Sequence, residues 1–485
     1  MQKSSLRVLS ARGYFWWHGQ TIPEGHLCPE VDFVPGTLSI DDNGRIELDL
    51  DGVLSEGGPF PSHNPQIKPI QGILKGTKED IHAQDSFQHV LLLGVWKNGG
   101  VFKSNGITFE RFIAEQCIRS DIGLGERPEI VFSSLSMDLK GYEDWLGVSM
   151  ITVSDSDNGM SATCAGLEID TYPVETGELR VKTWCRGRRS RYDLNWTQEA
   201  MAIYAPKVPM VLDDAIVQYQ AFQDLLILLT DGYYGLEWPV VTTTNGARCR
   251  CYFFKRRDLD QKKPTLVVPA LFSVIRKNFG DIWSSWMRVR NELGPGAYLY
   301  LGTRNGVTLY PENWFMNLMW GIEALHRKEP ERTGRKSAVE EKIDRIVNQV
   351  SASKDKKWLK AQLRHAIEPS LAERIYDVFC GLPLQIEDGR LRDFVENCAR
   401  LRNDISHFGG LRSNGVYEDL VYEDFVRDVM RKTEAVSLLY HAYLLQKIGV
   451  DPAILTHWVQ TGPASYDKQH TLVANGLAEA PALPA

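Results

Sequence analysis

The apolar residues of this chain change period near residue 310, and that change limits the folds open to it. From Pro311 onward they recur with helical spacing. In Pro311 to Arg327, Trp314, Phe315, Leu318, Met319, Ile322 and Leu325 share one face. The same spacing predicts helices at about 338–350, 355–367, 370–380, 391–408 and 421–447. Residues 1 to about 200 alternate instead, which is strand patterning. Thr37 to Ile40 and Ile46 to Leu50 flank the Asp41-Asp42-Asn43-Gly44 turn, a hairpin signal. Val90 to Trp96, Ile130 to Phe132 and Met150 to Val153 predict further strands, and Leu167 to Ile169 with Leu179 to Val181 a second hairpin. Between these regions the pattern is mixed: a helix over 213–230, a hairpin turning at Asn245-Gly246, and a helix from Phe272 to Leu293 that Gly294-Pro295-Gly296 ends. The expected fold class is α+β and multidomain. A β-rich, sandwich or barrel-like region (1–200) and a mixed connecting region (201–305) precede an all-α helical bundle (306–450). A tail (451–485) reads as partly disordered from its composition.

A chain of 485 residues is too long for one core. Its net charge of −7 excludes a global basic field, so nucleic acid would have to meet a local surface. Lys354, Lys356, Lys357, Lys360 and Arg364 make one candidate RNA-binding surface. Arg186, Arg188, Arg189 and Arg191 form a second basic run, read as a solvated loop or a phosphate contact. The cluster Tyr14-Phe15-Trp16-Trp17-His18 reads as core aromatics on a strand, with ligand stacking as the alternative. The eight cysteines are scattered, and Cys249-Arg250-Cys251 fits alternate strand residues better than half of a zinc site. Reduced thiols and a cytoplasmic location are expected. No secretory h-region and no apolar run of membrane-spanning length is present. No cofactor and no metal site is expected, since no His/Asp/Glu cluster has ligand spacing.

The stretch from Leu391 to Gly410 carries the chemistry. Leu391, Phe394, Val395, Cys398, Leu401, Ile405 and Phe408 form its buried stripe, and Gly409-Gly410 supplies the stop. Near that stop stands Arg402-Asn403-Asp404-Ile405-Ser406-His407. That hexapeptide resembles the signature of HEPN domains, many of them ribonucleases; RNA carries its own nucleophile, the 2′-OH, so its cleavage needs a proton carrier and a cation for the charged phosphorane. His407 suits the first task near neutral pH, and Arg402 the second with its fork of donors. Asn403 either holds the imidazole, contacts the phosphate or is a plain surface amide; Asp404 reads as structural. The competing reading is a basic pair favoured at a helix C-terminus. Arg12 and His18 show that such spacing also arises on a strand. Five residues of ideal helix separate Arg402 from His407 by about 140°. The side chains must therefore converge at the helix end, or a second subunit must complete the site.

This hexapeptide matches the Arg-x4-6-His signature of HEPN domains, many of which are metal-independent ribonucleases. Several blocks together resemble the ApeA family of bacterial antiphage HEPN proteins. Gly13-Tyr14-Phe15-Trp16 with the first hairpin resembles the start of its N-terminal domain. Ile130 to Ser136 with Tyr142-Glu143-Asp144-Trp145-Leu146 resembles a block of the same domain. Asn313-Trp314-Phe315 through Ile322-Glu323-Ala324-Leu325-His326-Arg327 resembles the opening HEPN helix. The resemblance spans about residues 10–450. It implies an abortive-infection endoribonuclease that cleaves host or phage RNA, tRNA among the candidates, leaving a 2′,3′-cyclic phosphate and a 5′-OH. It also implies motifs paired across a homodimer, and an N-terminal domain that senses or restrains, with a phage-derived trigger that no residue identifies. The alternatives are a catalytically silent HEPN module that binds RNA or protein beside a ligand-sensing β-rich domain, and a carbohydrate- or peptide-binding β region on a dimerising stalk.

Overall fold

The computed structural model describes residues 7–19, 33–54, 68–74, 89–101, 108–124, 130–156, 159–255, 263–305, 309–328, 335–363, 368–406 and 422–479. Two compact units divide the chain. The first comprises Met1–Glu143, Val148–Gln223 and Gly235–Gln261; the second comprises Asp144–Gly147, Asp224–Tyr234 and Lys262–Ala485.

In the first unit six antiparallel strands close on themselves as a barrel: β1 (Arg7–Trp17), β2 (Val34–Asp41), β3 (Ile46–Leu50), β4 (Ile70–Leu74), β5 (His89–Val101) and β6 (Phe109–Ser120). The ring runs β6-β3-β2-β1-β4-β5 and returns to β6. Alternation makes this possible. Leu38, Ile40, Ile46, Leu48 and Leu50 point inward while their neighbours face out, as the expected first hairpin requires. Burying each such side chain contributes roughly 1.5–3 kcal/mol. Of the aromatic cluster, Phe15 is buried in this core beside Val34, and Trp16 is buried on the other face of β1 against Phe33, while Tyr14 is exposed, so the core reading holds for those two rings.

The sheet then continues past the barrel. The far half of β6 pairs with β14 (Arg248–Phe253), followed in space by β13 (Val240–Thr243), β7 (Phe132–Asp138), β12 (Leu194–Pro206), β11 (Gly177–Arg189) and β10 (Glu168–Val174). A separate hairpin joins β8 (Ile151–Ser156) to β9 (Gly159–Cys164). Cys249 and Cys251 are alternate, buried residues of β14, and burial pushes the Cys249 thiol up to about 11. The expectation of thiols throughout is corrected at one pair: Cys164 and Cys185 form a disulfide. The ends of β8–β9 and β11 bring their Cα atoms within 6.7 Å, a bridging distance that their separation of 21 residues conceals. The run Arg186–Arg191 is likewise not a loop, since Arg186, Arg188 and Arg189 belong to β11.

The second unit is helical. A short helix, α1 (Glu143–Leu146), places Trp145 in it, where the indole donates to the Ala270 carbonyl at 2.9 Å and packs on Phe272 and Phe279. Helix α2 (Leu212–Thr230) spans both segments of chain, and Leu225 to Leu229 are fully buried, as an all-round apolar turn demands. Helices α3 (Phe272–Ile275), α4 (Phe279–Leu293), α5 (Pro295–Arg304), α6 (Pro311–His326), α7 (Arg335–Asn348), α8 (Ser353–Leu363), α9 (Leu371–Phe379), α10 (Asp388–Ser406), α11 (Tyr422–Lys447), α12 (Pro452–Thr456) and α13 (Ser465–Ala474) follow. Pro295 does not merely stop α4; it opens α5, because a first helical turn has no use for the N–H that proline lacks. Residues 451–479 depart from the disorder their composition suggests, and the rest of the tail lies outside the described residues. Leu455, Trp458, Val459, Leu472 and Leu477 are buried, and that apolar surface holds α12 and α13 in place. Among the described residues no helix is long and apolar enough to cross a membrane.

At the centre of this unit lies His441 of α11, fully buried. Its Nε2 is 2.7 Å from the Leu228 carbonyl oxygen, so that nitrogen donates. Its Nδ1 lies 2.7 Å from the Tyr300 hydroxyl and 3.2 Å from Asp231. Arg304 donates to both Asp231 and the Tyr300 hydroxyl. Burial works against the Asp231 charge, yet Arg304 and His441 outweigh it and hold the carboxyl well below the usual range. Burial pushes the Tyr300 phenol up to about 12.

Candidate active site

Helix α10 forms where the sequence predicts one, with Leu391, Phe394, Val395, Cys398 and Leu401 buried along its inner stripe. That stripe fixes the helix's rotation and so decides where Arg402 and Asn403 stand. Arg402 stands just before the last described turn of α10, partly exposed. Its Nη2 donates to Glu323 of α6 at 3.2 Å, and its Nη1 lies 3.3 Å from Asn403 Oδ1. Its Nε is buried and has no hydrogen-bond partner among the described residues. Asp404 is buried, and Ser406 Oγ lies against Met316 Sδ at 4.0 Å. These two contacts align the end of α10 antiparallel along α6: residue 402 meets 323, and 406 meets 316. At the start of α11, Tyr422 donates to Glu312, also on α6, at 2.8 Å. His407 lies outside the described residues.

Glu323 was not legible as a site residue. It stands 79 positions from Arg402 and looks like one acid on an amphipathic helix. Near Glu323 at the end of α6 stand His326, whose Nε2 is 3.1 Å from Asp377, and Arg327 just past the helix, 4.0 Å from Glu323. Asn403 faces Arg402 rather than standing as an isolated surface amide. Arg12 and His18, which share the motif's spacing, stand on and just after β1, with Arg12 paired to Asp51 at 2.6 Å.

The candidate RNA-binding lysines divide. Lys356 and Lys360 turn toward α7, bonding Asn348 at 2.8 Å and Asp344 at 3.4 Å. Lys357 remains exposed, as does Trp358 beside it. Arg364 lies outside the described residues.

A β-barrel unit followed by a helical unit in which α6 and α10 bring together an arginine, an asparagine and a glutamate defines a two-part protein with a polar cluster in its helical part. Residues 10–286 match the family model for ApeA N-terminal domain 1, and residues 316–453 match the model for Apea-like HEPN. The chain belongs to the ApeA family, a family of antiphage-defence proteins with a HEPN-type nuclease domain. No curated protein and no solved structure matches the chain.

Proposed function

We propose that the protein is a metal-independent endoribonuclease of antiphage defence, acting through Arg402 and His407 with Asn403 beside them. The observation that supports it is the seating of Arg402 at the end of α10, held by Glu323 and Asn403 within the segment that matches the HEPN model. In this reading one imidazole of His407 takes the 2′-OH proton as the 2′-oxygen attacks phosphorus. The P–O5′ bond breaks, the leaving oxygen gains a proton, and a 2′,3′-cyclic phosphate and a 5′-OH remain. Arg402 stabilises the phosphorane with charge-assisted hydrogen bonds. Asn403 holds the guanidinium for that task. The RNA is of host or phage origin, with tRNA among the candidates. The active form is a cytoplasmic homodimer, and the barrel-bearing unit senses a phage-derived trigger.

One observation favours the silent-module reading: two donors of Arg402 are already engaged by protein. Sequencing RNA ends after induced expression of the full chain separates the two. The nuclease reading expects new 5′-OH ends that Arg402→Ala and His407→Ala both abolish, and cleavage by the purified chain that persists in excess EDTA. Parental cleavage by both variants, or complete loss in EDTA restored by Mg²⁺, sinks the assignment.

A further inference from the structure

The arginine run of the first unit is built into a projecting arm. Strands β11 and β12 pair over their full length, Gly177 with Pro206 through Arg189 with Leu194. Their outer neighbours stop short: β10 covers β11 only as far as Thr183, and β7 meets β12 only from Met201 to Tyr204. Residues 184–189 and 194–199 therefore pair in the sheet only with each other, closed at the tip by Ser190 N–H donating to the Asp193 carbonyl at 2.8 Å. Every residue from Arg186 to Asn195 is exposed.

A two-stranded ribbon is marginal in water by itself, so its base needs support. Three features supply it. The disulfide ties Cys185 to Cys164 at the end of β9. Gln198 donates to the Val148 carbonyl at 2.9 Å and accepts from Met150 N–H at 2.8 Å. The Trp196 indole lies across Gly187, where an added Cβ would come within 2.8 Å of it.

What the arm presents is charge. Arg186, Arg188, Arg189 and Arg191 face only Asp193 and Glu199 on the same ribbon, in a chain of net charge −7. Arg186 reaches Glu199 at 3.4 Å, an exposed pair worth little. Arg188 and Arg189 form no ion pair among the described residues, and Arg191 stacks 5.2 Å from the ring of Tyr192, itself 86% exposed. Alternation puts Arg186 and Arg188 on one face, about 7 Å apart, and Arg189 on the other. The 7 Å step resembles that between successive phosphates of a nucleic-acid strand. Cations on both faces and the tip suit a ligand that surrounds the ribbon with negative charge; a flat protein surface would engage one face. Tyr192 adds a platform on which an unpaired base can stack, and such bases are the usual targets of RNA recognition.

We infer that the β11–β12 arm is an RNA-binding element of the non-catalytic unit, gripping the backbone of a looped RNA through Arg186, Arg188 and Arg189 and stacking an unpaired base on Tyr192. The choice of RNA rests on the nuclease reading above, in which RNA is the substrate. The test titrates the full chain carrying Arg402→Ala, so that nothing is cut, with a labelled RNA stem–loop and with duplex DNA of matching length across a salt series. Adding Arg186→Ala, Arg188→Ala and Arg189→Ala should weaken RNA binding by about tenfold to a hundredfold. It should also flatten the log K against log[salt] slope by about 2, near 0.7 for each phosphate that is no longer neutralised. Replacing the same three by lysine should keep the slope. A thermal melt matching the parent's confirms an intact fold, and Tyr192→Ala provides a second, single-site variant expected to weaken loop binding alone. Unchanged RNA affinity and slope overturn the inference, as do tighter DNA than RNA binding or arm-dependent self-association in sedimentation without any effect on RNA. A chain that cuts RNA with an inert arm refutes the arm and leaves the nuclease reading standing. A chain that binds RNA through the arm yet never cuts refutes the nuclease reading instead.

Discussion

In the proposed reaction Arg402 serves a phosphorane only if its guanidinium is held in place, and Glu323 bonds it at 3.2 Å. Glu323→Ala should lower kcat/KM for RNA by about tenfold, roughly 1.4 kcal/mol of lost positioning. Glu323→Gln keeps a hydrogen-bond acceptor and should retain most activity. A fully active Glu323→Ala chain would show the pair to be incidental. Arg402 and Asn403 were legible as candidates because a six-residue motif on a strongly periodic helix shows in the sequence itself. Glu323 was not, since its role depends on two helices meeting side by side. Asp224 offers a different test. Burial raises its carboxyl to about 6 against the opposing pull of Arg290, 3.2 Å away. Between about pH 4 and 6 the folded chain keeps a proton that the unfolded chain has released. This group's contribution to stability is thus present in acid and lost as pH rises through 6, a change of about 3 kcal/mol. Denaturant midpoints of the parent minus those of Asp224→Asn should fall across that window and level off above it; a rising difference contradicts the shift.

At the level of elements, close packing depends on two glycines. Tyr440 of α11 donates to the Gly296 carbonyl of α5 at 2.6 Å, and a Cβ at Gly321 of α6 would meet that same hydroxyl at 2.6 Å. Gly321→Ala must therefore push α6 and α11 apart or break the bond, and should cost about 2 kcal/mol, measured as a lower denaturant midpoint with unchanged slope. Helices such as α6 and α10 and barrel strands such as β2 and β3 could be read from the sequence because each has one wet face and one dry face. The β11–β12 arm could not, because both its faces are wet and no alternation marks it. Pro295 misled for another reason: the proline that ends one helix is also the residue best suited to begin the next.

For the whole molecule, the paired-motif reading predicts that mixed Arg402→Ala and His407→Ala chains regain part of the activity that each lacks alone, if each cleft needs one intact copy of each residue. A strictly monomeric chain with full activity in sedimentation at assay concentrations would rule this out. Chain order was legible, β first and α last, but the interleaving of segments was not. Asp144–Gly147 and Asp224–Tyr234 belong with the helices because Trp145, Asp224 and Asp231 find their partners there, and no local pattern announces that. The His441 centre then has a consequence for modularity. Leu228, Asp231, Tyr300 and Arg304 all precede residue 306, so a fragment cut there would leave a buried imidazole without its acceptor, its carboxylate and its phenol. The helical unit is for that reason not a portable cassette. Recombination that swapped the N-terminal unit at the apparent junction would damage the helical core. The first unit could be exchanged cleanly only by leaving behind the two short segments that this core has drawn from the chain before it.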